Sequence, residues 1–119
     1  MNSNVREIFS SHLGYLLAYS GKSQNDVARD LGVATGTVSS WVNGQKFPRA
    51  DMVQKLSDYL GVRMSVLMEE NGLDAFLREE SDRELLNAYH AADPSIRSAV
   101  RKLLDLPSEE QKDTAMSVG

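Results

Sequence analysis

Apolar residues recur at helical spacing along nearly the whole chain. Val5, Ile8, Phe9, Leu13, Leu16 and Leu17 fall on one stripe, and Gly21 stands where such a helix should stop. Ser23, with Asp26 three residues on, has the form of a capping box and opens a second helix through Leu31, which Gly32 breaks. Thr35 is placed to cap a third helix that runs to Val42 or Asn43 and terminates at Gly44. Pro48 falls in a loop. Ala50 to Leu60 form a fourth helix with Met52, Val53, Leu56, Tyr59 and Leu60 as its apolar set, and Gly61 ends it. Arg63 to Met68 make a short fifth helix.

After Glu69 the character changes. Asn71-Gly72 punctuates the chain, and Glu79-Glu80-Ser81-Asp82 is strongly polar. Ser81 and Glu84 offer another capping box, starting a helix that carries Leu85, Leu86 and Tyr89. Asp93-Pro94 reads as an N-cap followed by proline at the first helical position. The helix after it puts Ile96, Val100, Leu103 and Leu104 on one face, and Pro107 ends it. No strand, repeat or low-complexity tract is evident. The expected fold is all-α: five helices over residues 1–68, a linker over 69–80, a helical hairpin over 81–106 and a polar tail over 107–119.

With 119 residues the chain has room for one compact domain, or a small domain with an appendage. It has no apolar run long enough to span a membrane, and its first residues lack the pattern of a signal peptide. Cysteine is absent, which excludes disulfides, thiolate metal sites and thiol catalysis. The expected location is cytoplasmic. Net charge is −4, unevenly spread. Seven basic and five acidic residues leave +2 over 1–68, whereas six basic and twelve acidic residues leave −6 over 69–119. A basic front and an acidic back suggest two different tasks.

The stretch from Gln24 to Gly44 has a mechanical logic. Two helices that cross steeply over a short turn need a small residue at closest approach, supplied by Ala28, and a turn residue tolerant of positive φ, supplied by Gly32. Val27, Leu31, Val33, Val38 and Trp41 face inward. The spacing of Trp41 from Val38 and Val42 marks it as core rather than a stacking platform. Thr35, Gly36, Thr37, Ser39 and Ser40 remain outward, all small and none acidic. Such a face meets phosphates without repulsion and lets the backbone sit deep in a DNA major groove.

On these residues the segment from about Phe9 to Met68 resembles the Cro/Xre family of helix-turn-helix domains, the five-helix fold of the lambda-type phage repressors. The matching features are Ser23-Gln24, Ala28, Leu31-Gly32-Val33, Val38, Trp41-Val42-Asn43-Gly44, Pro48 and Leu60-Gly61-Val62. The resemblance implies a regulator, expected to be a repressor, that binds an operator in double-stranded DNA. It assigns a phosphate contact to Gln24, base contacts to Thr35 and Gly36 with Ser40 one turn on, and a backbone grip to Asn43 with Lys46 near it. Ser39 is grouped with the phosphate contacts and Thr37 with the base readers. Many relatives carry glutamine at the Thr35 or Gly36 position. Without it, bidentate adenine readout is lost, and specificity must come from hydroxyls, van der Waals contact or DNA shape.

The hairpin is amphipathic and too small to stand alone, so its apolar face needs a partner. The front domain, a second copy or another protein, such as an antirepressor, could each supply it. A homodimer suits a helix-turn-helix best, because two copies read a palindrome's half-sites about one DNA turn (~34 Å) apart. Its candidate surface is Leu85, Leu86, Tyr89, Ile96, Val100, Leu103 and Leu104. The resemblance adds Met64, Val66 and Met68 of the fifth helix; Leu67 reads as core. Two alternatives stay open: an interaction module or antitoxin-like regulator whose acidic hairpin binds another protein, and the front part of a longer self-cleaving repressor. His12 and His90 lack partners at ligand spacing, and no Ser-His-Asp set, P-loop or dinucleotide fingerprint occurs. No metal, no cofactor and no enzymatic activity are expected.

Overall fold

The computed structural model describes residues 2–109, with side chains from residue 4 onward. Among the described residues the secondary structure is helical throughout, which agrees with the all-α expectation. The elements are α1 (Asn2–Ser20), α2 (Gln24–Leu31), α3 (Thr35–Val42), α4 (Ala50–Leu60), α5 (Met64–Met68), α6 (Gly72–Ala91) and α7 (Pro94–Leu103). The expected polar tail lies outside the described residues beyond Glu109. The chain divides into two compact units, Met1–Arg78 and Glu79–Gly119.

In the first unit, α1 is the central strut. Phe9, Leu13, Leu16 and Leu17 are buried along one stripe, and α1 packs against α3, α4 and α5. The core is completed by Val27, Ala28, Val38, Trp41, Val53, Leu56, Val66 and Leu67. Fully burying a Val, Leu or Phe side chain is worth roughly 1.5–3 kcal/mol, so this dozen dominates the unit's stability. Polar bonds then set the register. His12 Nδ1 donates to the Val66 carbonyl at 2.9 Å, and the Ser10 hydroxyl donates to the Val42 carbonyl at the end of α3.

Two expectations for this region are corrected. Val66 is only 2% exposed; a side chain inside the monomer core has no surface left for a dimer contact. The segment 69–80 is no linker beyond Asn71, because α6 starts at Gly72 and runs unbroken through Ser81. The residues 73–91 contain no glycine or proline, and Leu, Ala, Glu and Arg sustain a solvated helix. Asp74 pairs with Arg78 at 2.8 Å and Glu80 with Arg83 at 2.6 Å along its side. Ser81 therefore lies inside a helix and does not cap one. Leu73 and Phe76 of its first turns pack on the core, with the Phe76 ring edge-on to Tyr19.

In the second unit α7 follows the rest of α6 across the short turn at Ala92 and Asp93. Asp93 occupies the N-cap position and Pro94 the first turn, although the Asp93 side chain makes no capping bond. The second helix ends at Leu103, short of Pro107. Asp105 takes a left-handed conformation (φ 62°), and the Leu106 N–H returns to the Arg101 carbonyl at 2.8 Å. No residue of α6 or α7 is fully buried.

Candidate nucleic-acid interface

Helix α2 begins with the expected capping box. The Asp26 N–H donates to Ser23 Oγ at 3.0 Å, and the Ser23 N–H donates to the Asp26 carboxylate at 2.9 Å. That backbone bond, followed by the Ser23 side chain, holds the Asp26 pKa below its ordinary value, and Arg29 lies 3.3 Å from the same carboxylate. The one acid in the first turn of α2 is thus already partnered beside half-buried Gln24.

Gly32 closes α2 at φ 71°, a conformation that costs a side-chain-bearing residue about 1 kcal/mol or more. Its turn lets the Val33 N–H reach the Ala28 carbonyl at 3.0 Å, which fixes the exit toward α3. The cap of α3 differs from expectation. Ala34 is the N-cap, with no side-chain bond, and Thr35 is the first helical residue. The Thr35 hydroxyl is therefore not spent on capping, and the residue is exposed beside exposed Gly36.

Further along α3, Ser40 Oγ donates to the Gly36 carbonyl at 2.9 Å. Its proton is engaged, and its lone pairs remain to accept a bond, as from a base amino group. Asn43 Nδ2 donates to Ser39 Oγ at 3.2 Å; this orients the amide while leaving its second N–H to reach outward. Thr37 is half-buried and less accessible than Thr35.

The loop after α3 is pinned rather than loose. The N–H groups of Gln45 and Lys46 both point to the Ser40 carbonyl, at 2.9 and 3.2 Å. Phe47 sets its ring edge-on to Phe9 at 5.1 Å, and Pro48 is buried. Lys46 is thereby held, exposed, next to the C-terminal end of α3. Thr35, Gly36, Ser39, Ser40, Asn43 and Lys46 share this helix and the loop locked to it, while Gln24 opens the neighbouring helix. No Asp or Glu occurs between Leu31 and Ala50.

Two residues that position this face escaped the sequence reading. Ser10 holds the last carbonyl of α3, and nothing in its local pattern announces that bond. Phe47 left a signal, a lone aromatic in a polar loop, whose meaning needs the contact with Phe9. The expected dimer residues are placed as follows. Met64 is 36% exposed on α5, while Met68 packs partly on the core. Leu85, Leu86, Ile96, Leu103 and Leu104 are all more than half exposed; Tyr89 and Val100 are half-buried.

Two short helices, α2 and α3, packed together across a glycine turn, the second free of acids and both resting on the buried core, define a DNA-binding helix-turn-helix module. The helix-turn-helix family model matches residues 20–67. The chain is also similar to the solution structure of the SOS-response transcriptional repressor LexA from Eubacterium rectale. The two are 36% identical with a TM-score of 0.55, over 59% of this chain and 74% of that one. No curated protein shows significant similarity. The chain belongs to the Cro/C1-type helix-turn-helix family and is a DNA-binding transcriptional regulator. No described helix is long and apolar enough to cross a membrane.

Proposed function

We propose that this chain is a cytoplasmic repressor that recognises a specific palindromic operator in double-stranded DNA as a homodimer. The observation that carries the reading is the outer face of α3, small and acid-free from Thr35 onward, with Lys46 locked at its far end. Thr35, Gly36, Thr37 and Ser40 read base edges in the major groove. Gly36 contributes by letting the backbone approach, since open space surrounds the position of its missing Cβ. Gln24, Ser39, Asn43 and Lys46 hold phosphates and set the register. The dimer reading rests on the exposed leucines of the hairpin, together with a helix-turn-helix's need for two half-sites.

Selection of bound sequences from random duplex DNA, followed by footprinting, tests this. Two inverted half-sites centred about 34 Å apart are expected. Affinity should fall with salt at a log–log slope of about −0.9 per phosphate contact. Failure to enrich any sequence, or affinity indifferent to salt, would overturn the proposal. Thr35→Ala and Ser40→Ala should change operator preference at a cost of about 1–3 kcal/mol on the matched site. Gln24→Ala and Asn43→Ala should weaken matched and mismatched sites alike. A uniform loss from all four would remove the division between base and phosphate contacts.

A further inference from the structure

The second unit holds a cavity of about 590 Å³ on the basic side of α7. Arg97, Arg101 and Lys102 line it, and Pro94 and Leu106 add an apolar edge. Helix α7 contains no acidic residue. Among the described residues one carboxylate enters the cavity wall, brought back by the segment that follows the Asp105 turn. Glu109 Oε1 accepts from the Tyr89 hydroxyl at 2.7 Å and from Arg97 Nε at 3.1 Å. Tyr89, and behind it the charges of Arg97 and Arg101, hold its pKa below the ordinary value.

The cations outnumber that carboxylate. Arg97 also donates to the Ala92 carbonyl. Arg101 donates to the Pro107 carbonyl and lies 3.4 Å from Tyr89 Oη, both neutral acceptors. Lys102 is exposed. Basic residues in the last turn of a helix offset its dipole, but that does not account for a concave wall with one of the chain's own carboxylates in it. The volume falls in the range of small-molecule sites, and guanidinium forks match carboxylate and phosphate oxygens.

We propose that this cavity binds a small, multiply charged oxyanion, a phosphate monoester or a dicarboxylate. Arg97 and Arg101 clasp the anion and Lys102 adds charge. Glu109 is the chain's own stand-in and competes with the ligand for Arg97. The site stands apart from the DNA reading and does not depend on it.

Inorganic phosphate and succinate serve as probes, titrated into the full chain while the backbone and Arg side-chain NMR resonances of α7 are followed. Sodium chloride at matched ionic strength is the control. Saturable shifts centred on Arg97, Arg101 and Lys102 are expected, and the stronger probe identifies the oxyanion. Glu109→Gln should tighten binding roughly two- to fivefold, the worth of one exposed ion pair. Arg97→Gln should abolish saturation. Lys102→Gln should weaken binding while leaving the contacts among Tyr89, Arg97 and Glu109 in place, so its loss is separable from misfolding. Shifts reproduced by chloride, or a Glu109→Gln chain that binds no better than the parent, would overturn the proposal.

Discussion

Tyr59 and Asp30 join α4 to α2 through a single short bond, with the phenol donating to the carboxylate at 2.5 Å. The bond acts on both groups in opposite senses. It lowers the Asp30 pKa and, with burial and the nearby negative charge, pushes Tyr59 from the ordinary 10 up to about 12. For Tyr59 the raised value means that its stabilisation is complete below pH 10 and lost as pH rises through 12. For Asp30 the lowered value means the reverse: its contribution is complete above the ordinary carboxylate pKa and lost as pH falls through the depressed one. Tyrosinate absorbance should therefore contain a component that titrates late, near 12, and Asp30→Asn should remove it. A parent chain without that late component would show that the bond does not persist in solution. Gly72 makes a second claim at this scale. A Cβ there would sit 2.0 Å from the Ser65 carbonyl, so Gly72→Ala should destabilise the first unit by about 1–3 kcal/mol, as overpacking does. Gly36→Ala meets open space and should stabilise α3 by up to about 1 kcal/mol, yet weaken operator binding by keeping the backbone from the groove. Thermal melts beside DNA titrations separate the two glycines.

Among the elements, those with punctuation were legible and those without it were not. Gly21, Gly32 and Gly61 each take positive φ at a helix end, and Pro94 opens α7; these residues leave the chain few alternatives. The start of α6 was missed because Glu79-Glu80-Ser81-Asp82 has the composition of a loop. Composition cannot distinguish a loop from a helix that solvent surrounds. The exposed small residues at the start of α3 were legible, but the hydrogen bonds there were not, since Thr35 and Ala34 compete for one cap position and backbone path decides the winner. Val66 was misplaced because a five-residue helix is too short to show which of its sides is buried. Helix α7 offers a test of local stop chemistry. Asp105 adopts the left-handed conformation that glycine takes at no steric cost. Asp105→Gly should stabilise the second unit by about 0.5–1 kcal/mol. Slower amide exchange at Leu104 to Leu106 would report it, and faster exchange would show that the aspartate itself stabilises the turn.

For the whole molecule, what matters is the contrast between its units. The first has a core of twelve buried apolar side chains, enough to fold around its own helix-turn-helix. The second buries none in either helix, and leaves Leu103 85% exposed, Leu85 64%, Leu104 60% and Leu86 54%. Polar bonds link Tyr89, Arg97, Arg101 and Glu109 within it. Exposed leucines in that number are costly in water, and each one covered would return roughly 1.5–3 kcal/mol. A few across a two-fold axis outweigh the several kcal/mol that association costs. The expected partner is a second copy, because one helix-turn-helix makes too few contacts for firm binding and two copies engage a palindrome together. Replacing Val100 and Leu104 together with Asp should therefore give monomers by sedimentation at tens of micromolar, a concentration at which a parent dimer held by about 7–8 kcal/mol, a Kd of a few micromolar, stays mostly dimeric. Operator binding should drop far more than binding to a single half-site. A parent chain that sediments as a monomer would refute dimerisation in free solution. A double variant that stays dimeric would move the interface to exposed Met64 and its surroundings on α5, since Val66, sealed in the core, has no part to play there.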